Sequence, residues 1–232
     1  MKHKLTCKVD DLIIRTWCQK DDSETKQVLR DGSYSNIIPW CKIRLKKLST
    51  FTFINVLTAS VYFYFQNVYA IPITVILNIL VVYLLTSLGT LYYLYGPPLY
   101  DMNNVKEVYL NSEDTHFWVA EVNGHVAGTI AIVRSESDDN ETQKVAWLRR
   151  LVVHRNYRGM GIARKLVSTT QTFCKNCNYT HIKLLTTEVH EPARNLYESM
   201  GFKLRNYYCK YLNGLVPVWS YDYIYNISED NE

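Results

Sequence analysis

The stretch of this chain whose residue types best suit chemistry is Arg158-Gly159-Met160-Gly161-Ile162-Ala163. Its two glycines let the backbone come close to a ligand and adopt conformations that a Cβ forbids. A helix beginning directly behind them offers unpaired N–H groups and the positive end of its dipole, which together hold an anion such as a pyrophosphate. Two better-known phosphate motifs are absent: a Rossmann fingerprint needs a third small residue at the right spacing, and a P-loop needs Gly-Lys followed by Ser or Thr. What remains is Arg-x-x-Gly-x-Ala, followed downstream by Ala193, Leu196, Tyr197, Gly201 and Phe202 in the order Ala-x-x-Leu-Tyr-x-x-x-Gly-Phe.

Around the turn, Lys144, Arg149, Arg150, Arg155, Arg158, Arg164 and Lys165 form a basic cluster in sequence, as a ligand with several phosphates requires. The alternative is a solvated basic face. The net charge of +4 is modest and does not indicate a nucleic-acid partner. Of the six cysteines, Cys174 and Cys177 make a C-x-x-C at the C-terminal end of a helix. A redox pair sits instead at a helix N-terminus, and a zinc site needs two further ligands, so reduced thiols and no metal are expected.

These residues need elements to place them. Val145 to Val153 reads as a central strand running into the turn, and Ile162, Leu166, Val167, Thr170 and Phe173 stripe one face of the helix behind it. Phe117 to Val122 and His125 to Val133 flank Asn123-Gly124, a two-residue hairpin signal. Ser135 to Glu141 reads as a polar loop, His181 to Thr187 as a second buried strand, Glu191 to Met200 as a helix and Val216 to Ile224 as a last aromatic strand. Near the N-terminus, Leu12 to Arg15 reads as a short strand followed by a polar helix near Ser23 to Leu29. The sum is an α/β chain with a mixed, mainly antiparallel sheet and helices on both faces. Its 232 residues suit one domain plus something extra.

The extra part is apolar. Between Lys47 and Asp101 there is no Asp, Glu, Lys, Arg or His. One crossing of a bilayer core takes about 20 residues, so this run supplies two, Leu48 to Phe65 and Ile71 to Tyr93. Tyr62, Tyr64, Tyr69, Tyr92, Tyr93 and Tyr95 gather toward the ends, as interfacial aromatics do. Asn55 and Asn78 are expected to face the partner span. Lys42, Arg44, Lys46 and Lys47 precede the first span and favour the cytosolic side. A re-entrant hairpin is the alternative to full crossing, because the first span is short. Met1 to Cys7 lacks the apolar region of a signal peptide. The sequons at Asn140, Asn178 and Asn226 would matter only for a lumenal domain.

The motif pair resembles the GNAT superfamily of acetyl-CoA-dependent N-acetyltransferases, and the layout with a membrane segment resembles its camello-like membrane-bound branch. That branch acts on cysteine S-conjugates, aspartate or lysines. The resemblance implies the GNAT fold with an inserted transmembrane or re-entrant helical hairpin: residues 1–47 supply its first strand and helix with a basic juxtamembrane segment, 48–100 the hairpin and 101–232 the catalytic core. It implies acetyl-CoA as co-substrate, with the backbone of Leu151, Val152 and Val153 along the pantetheine arm. Arg158, Gly159, Gly161, Ile162 and Ala163 would hold the pyrophosphate, with Met160 of the same turn also binding the cofactor and Arg155 and Arg164 near other phosphates. Where many GNATs carry Asn three residues before the alanine, this chain has His190.

Acetyl transfer needs a thioester placed beside a neutral amine, donors for the developing oxyanion, and a proton for the leaving thiolate. By resemblance Tyr197 is that acid; its other reading is core packing, since it lies on the apolar face of its helix. Glu188 and His190 leave the end of a strand at the expected site and are candidate bases, His being the natural one near neutral pH. His154 is a weaker one, and ordered water an alternative. A small-molecule amine is favoured as acceptor over protein lysine by family analogy alone, alongside membrane lipid as surroundings and an endoplasmic-reticulum location with the catalytic part facing the cytosol. A CoA-binding scaffold without turnover and a lumenal protein-lysine acetyltransferase are the competing functions. Oligomeric state cannot be read.

Overall fold

The computed structural model describes residues 12–135, 144–212 and 216–227. Met1 to Cys7, Asn140 and the Ser135 to Glu141 loop beyond its first residue lie outside them. Seven strands form one sheet in the order β1-β2-β3-β4-β5-β7-β6. They are β1 (Leu12–Thr16), β2 (His116–Val122), β3 (His125–Arg134), β4 (Val145–Val153), β5 (His181–Thr187), β6 (Lys203–Leu212) and β7 (Val216–Asn226). Every neighbouring pair is antiparallel except β4 and β5, which run parallel. β1 pairs with β2 from Leu12↔Val122 to Thr16↔Trp118, closing the sheet across the long segment between them.

The helices are α1 (Asp22–Tyr34), α2 (Ile37–Lys46), α3 (Leu48–Phe65), α4 (Ala70–Tyr95), α5 (Val105–Tyr109), α6 (Ile162–Asn176) and α7 (Glu191–Ser199). Alternation along the strands sorts the sheet faces. Trp118, Ile130, Ile132, Ala146 and Leu148 join Ile162, Leu166 and Val167 of α6 and Tyr197 of α7 in one buried cluster. Their neighbours point the other way: Phe117 stacks edge-on with Tyr109 of α5 at 5.3 Å, and Val152 meets α1. That last contact is tight. A Cβ on Gly32 would come within 2.6 Å of Val152 Cγ1, so only glycine lets α1 lie this close to β4.

Residues Ser33 to Tyr100 form a compact unit of their own, and residues 1–32 with 101–232 form the other. The helical unit therefore takes in α2, the basic segment that the sequence reading attached to the N-terminal part. α3 buries no residue, and α4 buries only Thr74 and Thr86, so apolar side chains such as Phe53, Val56, Leu77 and Leu84 stay exposed. Both helices are long and apolar enough to cross a membrane. Their polar side chains bond their own helix: Asn55 Nδ2 donates to Phe51 O at 2.7 Å and Asn78 Nδ2 to Thr74 O at 2.8 Å. The expectation that both asparagines turn to the partner span needs correcting for Asn55, which is exposed, because a carbonyl one turn back already satisfies it.

Candidate functional site

β4 and β5 part company early. Their ladder holds only Val145↔His181, Ala146↔Ile182 and Trp147↔Lys183, while β5 continues to Thr187 against β7. From Leu148 onward the β5-facing edge of β4 pairs with no strand of the described sheet, and Leu151, Val152 and Val153 are only half-buried. A second irregularity lies on the other edge, where the β3–β4 register shifts between Thr129 and Ala131. There Arg150 takes φ +57°, a left-handed conformation that costs a non-glycine residue about 1–2 kcal/mol. Thr129 Oγ1 donates to the Arg150 carbonyl at 2.8 Å. The Arg150 guanidinium, 6% exposed, donates to Asp101 from Nε at 2.9 Å and from Nη2 at 2.5 Å. Tyr109 Oη donates to the same carboxylate. Burial and that bond push the Tyr109 phenol up to about 12.

The glycine turn follows β4 directly. Gly159 and Gly161 have φ of +82° and +76°, and a Cβ on either would meet nothing within 4 Å. Backbone conformation therefore requires these glycines, and the space before them is open. Gly161 is the N-cap of α6, and no side chain caps that helix, so its first N–H groups face the same space. Arg158 Nε folds back onto Val153 O at 3.1 Å, and Met160 packs on the core beside Ile162. Arg164 Nη2 reaches Ser199 Oγ of α7 at 2.7 Å.

The basic cluster read from the sequence is smaller in space. Lys144 pairs with Asp114 and donates to Cys177 O at 2.9 Å, at the far end of β4. Strand residues advance about 3.3 Å each, which carries Lys144 well away from the turn. Arg149 and Arg150 reach Asp101, on the sheet face away from α6. Arg155, Arg158, Arg164 and Lys165 stay with the turn.

Tyr197 is 6% exposed and lies against Phe202 and Tyr223, with ring centroids 5.6 and 6.3 Å away. Among the described residues its hydroxyl has no hydrogen-bond partner, and burial holds its phenol well above the ordinary range. By contrast, Tyr223 Oη donates to Glu198 at 2.6 Å. His190 caps α7, its Nδ1 lies 2.9 Å from Thr187 Oγ1, and burial, with Arg158 and Arg194 nearby, pulls it down to about 4. Such a ring is neutral at pH 7 but a feeble base. Glu188 is drawn into the β5–β7 junction, where its N–H donates to Trp219 O at 3.0 Å and its Oε1 accepts from Trp219 N at 3.5 Å. His154 stands 3.1 Å from Asp31 of α1, a fastening between helix and strand end. Sequence reasoning passed over Asp101, although it is the first charged residue after the uncharged run. It also passed over Arg194, whose guanidinium lies 4.3 Å over the Tyr221 ring, its Nε buried and without a hydrogen-bond partner among the described residues.

A profile of the Acetyltransferase (GNAT) family matches residues 85–202, half of the chain. The chain belongs to the GNAT family. Among curated GNAT relatives it is 41% identical over 103 residues to N-acetylaspartate synthetase of Xenopus tropicalis, covering 44% of this chain and 36% of that protein. It is 37% identical over 103 residues to the probable N-acetyltransferase camello of the same species, covering 44% and 45%. With N-acetyltransferase 8 of Rattus norvegicus it shares 36% over 126 residues, covering 54% and 56%. The matched part thus spans about half or less of these relatives. Two solved structures share the fold: a GNAT acetyltransferase of Staphylococcus aureus, 17% identical with a TM-score of 0.56 over 93% of this chain and 99% of that one, and an acetyltransferase of Streptococcus agalactiae, 16% identical with a TM-score of 0.52 over 93% and 98%.

Proposed function

We propose that this GNAT chain is a membrane-bound N-acetyltransferase that moves acetyl from acetyl-CoA to the primary amine of a small molecule. One observation carries the reading: an uncapped glycine turn stands at the end of a strand that has separated from its neighbour. The parts fit the co-substrate. The Gly159–Ala163 backbone and the α6 N-terminus suit the pyrophosphate, and Arg155 and Arg158 add charge beside it. The free edge of Leu151 to Val153 suits the amides of the pantetheine arm and supplies N–H groups toward the thioester oxygen.

Tyr197 is the proposed acid for the leaving thiolate. Burial raises its pKa, but it raises that of a thiolate in the same dry site as well, so the proton can still be shared as the sulfur leaves. His190, low and held by Thr187, is better suited to positioning α7 than to taking the amine proton. Glu188 remains the other candidate base, with ordered water as the alternative. That weakness in the base favours one second reading, a CoA-binding scaffold without turnover.

A hairpin of α3 and α4 in the membrane, with the catalytic unit on the cytosolic side of the endoplasmic reticulum, completes the proposal. The β1–β2 ladder supports an even number of crossings, because both strands must lie on one side. The names of the curated relatives favour an amino-acid acceptor. Purified full chain with acetyl-CoA and a panel of amines tests the function: amine-dependent release of CoA is expected, and tight CoA binding with no release for any amine would support the scaffold instead.

A further inference from the structure

All the charge of the helical unit is of one sign and in one place. Between Asp31 and Asp101 the only charged residues are Lys42, Arg44, Lys46 and Lys47, so the unit holds no side-chain carboxylate to balance them. Lys42 and Lys46 are exposed and stand four residues apart, on one face of α2 with Ile38, which is 63% exposed. Like charges at that spacing repel and weaken the helix that carries them. Arg44 lies elsewhere on the helix, its guanidinium 5.8 Å from the centre of the Trp40 ring. α2 buries no residue, although it packs against α3 and α4. No loop separates this charge from the apolar hairpin. Lys47 is at once the C-cap of α2 and the N-cap of α3, and Leu48, the first residue of α3, is 75% exposed. No side chain caps α3, so its first N–H groups add to the positive field there. At the other end of the hairpin, residues 66–69 carry no charge. The cations therefore stand level with the start of α3 and mark one end of the hairpin only.

We propose that the basic end of α2, residues 42–47, is a binding surface for anionic phospholipid headgroups. The proposal rests on the membrane-bound reading above, which sets the start of α3 where hydrocarbon gives way to headgroups. The chemistry matches. A lysine ammonium offers three rotatable donors to phosphate and carboxylate oxygens. Trp40 and the exposed Ile38 suit the boundary between headgroups and acyl chains. The four cations lie on different sides of a helix end and enclose no pocket for a small soluble anion. A negatively charged bilayer surface meets them together, and each Lys or Arg near such a surface strengthens the contact by about fivefold. A signal read only while the hairpin inserts would use the same cations, but it would leave the finished protein indifferent to headgroup charge.

The test places the full chain in phosphatidylcholine vesicles containing a minor share of phosphatidylserine. Spin-label EPR then measures how strongly labelled phosphatidylserine and labelled phosphatidylcholine are each held at the protein. The wild type should hold phosphatidylserine severalfold more strongly, and added salt should reduce that preference, because exposed charges are screened. Lys42→Gln combined with Lys46→Gln should take the preference most of the way to unity, with helix content and acetyl-CoA affinity unchanged. Lys42→Arg combined with Lys46→Arg should keep it. A wild type that holds both lipids equally overturns this inference and leaves the membrane reading intact, whether or not the variants fold. A glutamine variant that keeps the full preference does the same. A wild type that restrains neither lipid and washes off the vesicles overturns both.

Discussion

Asp101 holds Arg150 at two points, accepting from Nε at 2.9 Å and from Nη2 at 2.5 Å, and Arg150 is the residue at which β4 turns left-handed. The clamp ties the chain leaving the apolar segment to the strand expected to line the thioester. A strained backbone persists only where its surroundings over-determine it. Here the Asp101 pair and the bond from Thr129 to the Arg150 carbonyl do so.

Asp101→Asn should leave a buried guanidinium short of its partner and destabilise the fold by about 3–5 kcal/mol. Melting in detergent with tryptophan fluorescence checks this. Because the bulge sets the edge of Leu151 to Val153, the surviving folded protein should also lose turnover. Full activity at a temperature where the variant is folded would separate the clamp from the site.

Gly161→Ala puts a Cβ on a residue with φ +76° where no atom stands within 4 Å. Strain of about 1–2 kcal/mol is expected, with a rise in KM for acetyl-CoA of about tenfold or more as the methyl meets the phosphates. Steady-state kinetics beside a melting curve distinguishes ligand contact from misfolding.

Tyr197→Phe removes a hydroxyl that bonds no described residue, so the fold should change by less than about 1 kcal/mol. Turnover should fall on the order of 100-fold if the phenol protonates the leaving thiolate. KM for acetyl-CoA should stay near that of the wild type.

His190, pulled down to about 4, gives a prediction in pH. Its folded pKa lies below the ordinary value near 6.5, so between the two the unfolded chain binds the extra proton. Stability should therefore be complete above about pH 6.5 and decline as pH falls toward 4. His190→Asn should flatten that part of the pH–melting profile. The rate profile of the wild type should show no inflection near 6.5 from this residue.

Much of this was legible in sequence because the signals were local. β4, β5 and α3 fall at the bounds that apolar runs and breakers indicate, and β1 pairs with β2 as the resemblance implied. β6 escaped notice since it is an edge strand with Lys203, Leu204, Arg205, Asn206 and Tyr207 all exposed, which leaves no alternation to read, and a register shift between Leu204 and Asn206 breaks what remains. The basic cluster was over-read because neighbours in sequence separate along an extended strand: Lys144 ends beside Asp114, whereas Arg158 folds onto Val153. The left-handed turn at Arg150 has no glycine to announce it, and its partner lies 49 residues away.

The central claim is that the glycine turn and the parted strands form one acetyl-CoA site. A structure of the full chain with a non-hydrolysable acetyl-CoA analogue measures this directly. The account predicts the pyrophosphate on the backbone of Gly159 to Ala163, the pantetheine arm along Leu151 to Val153 and the sulfur within reach of Tyr197 Oη. An analogue bound elsewhere, or one whose thioester mimic lies away from the β4 edge, would contradict it.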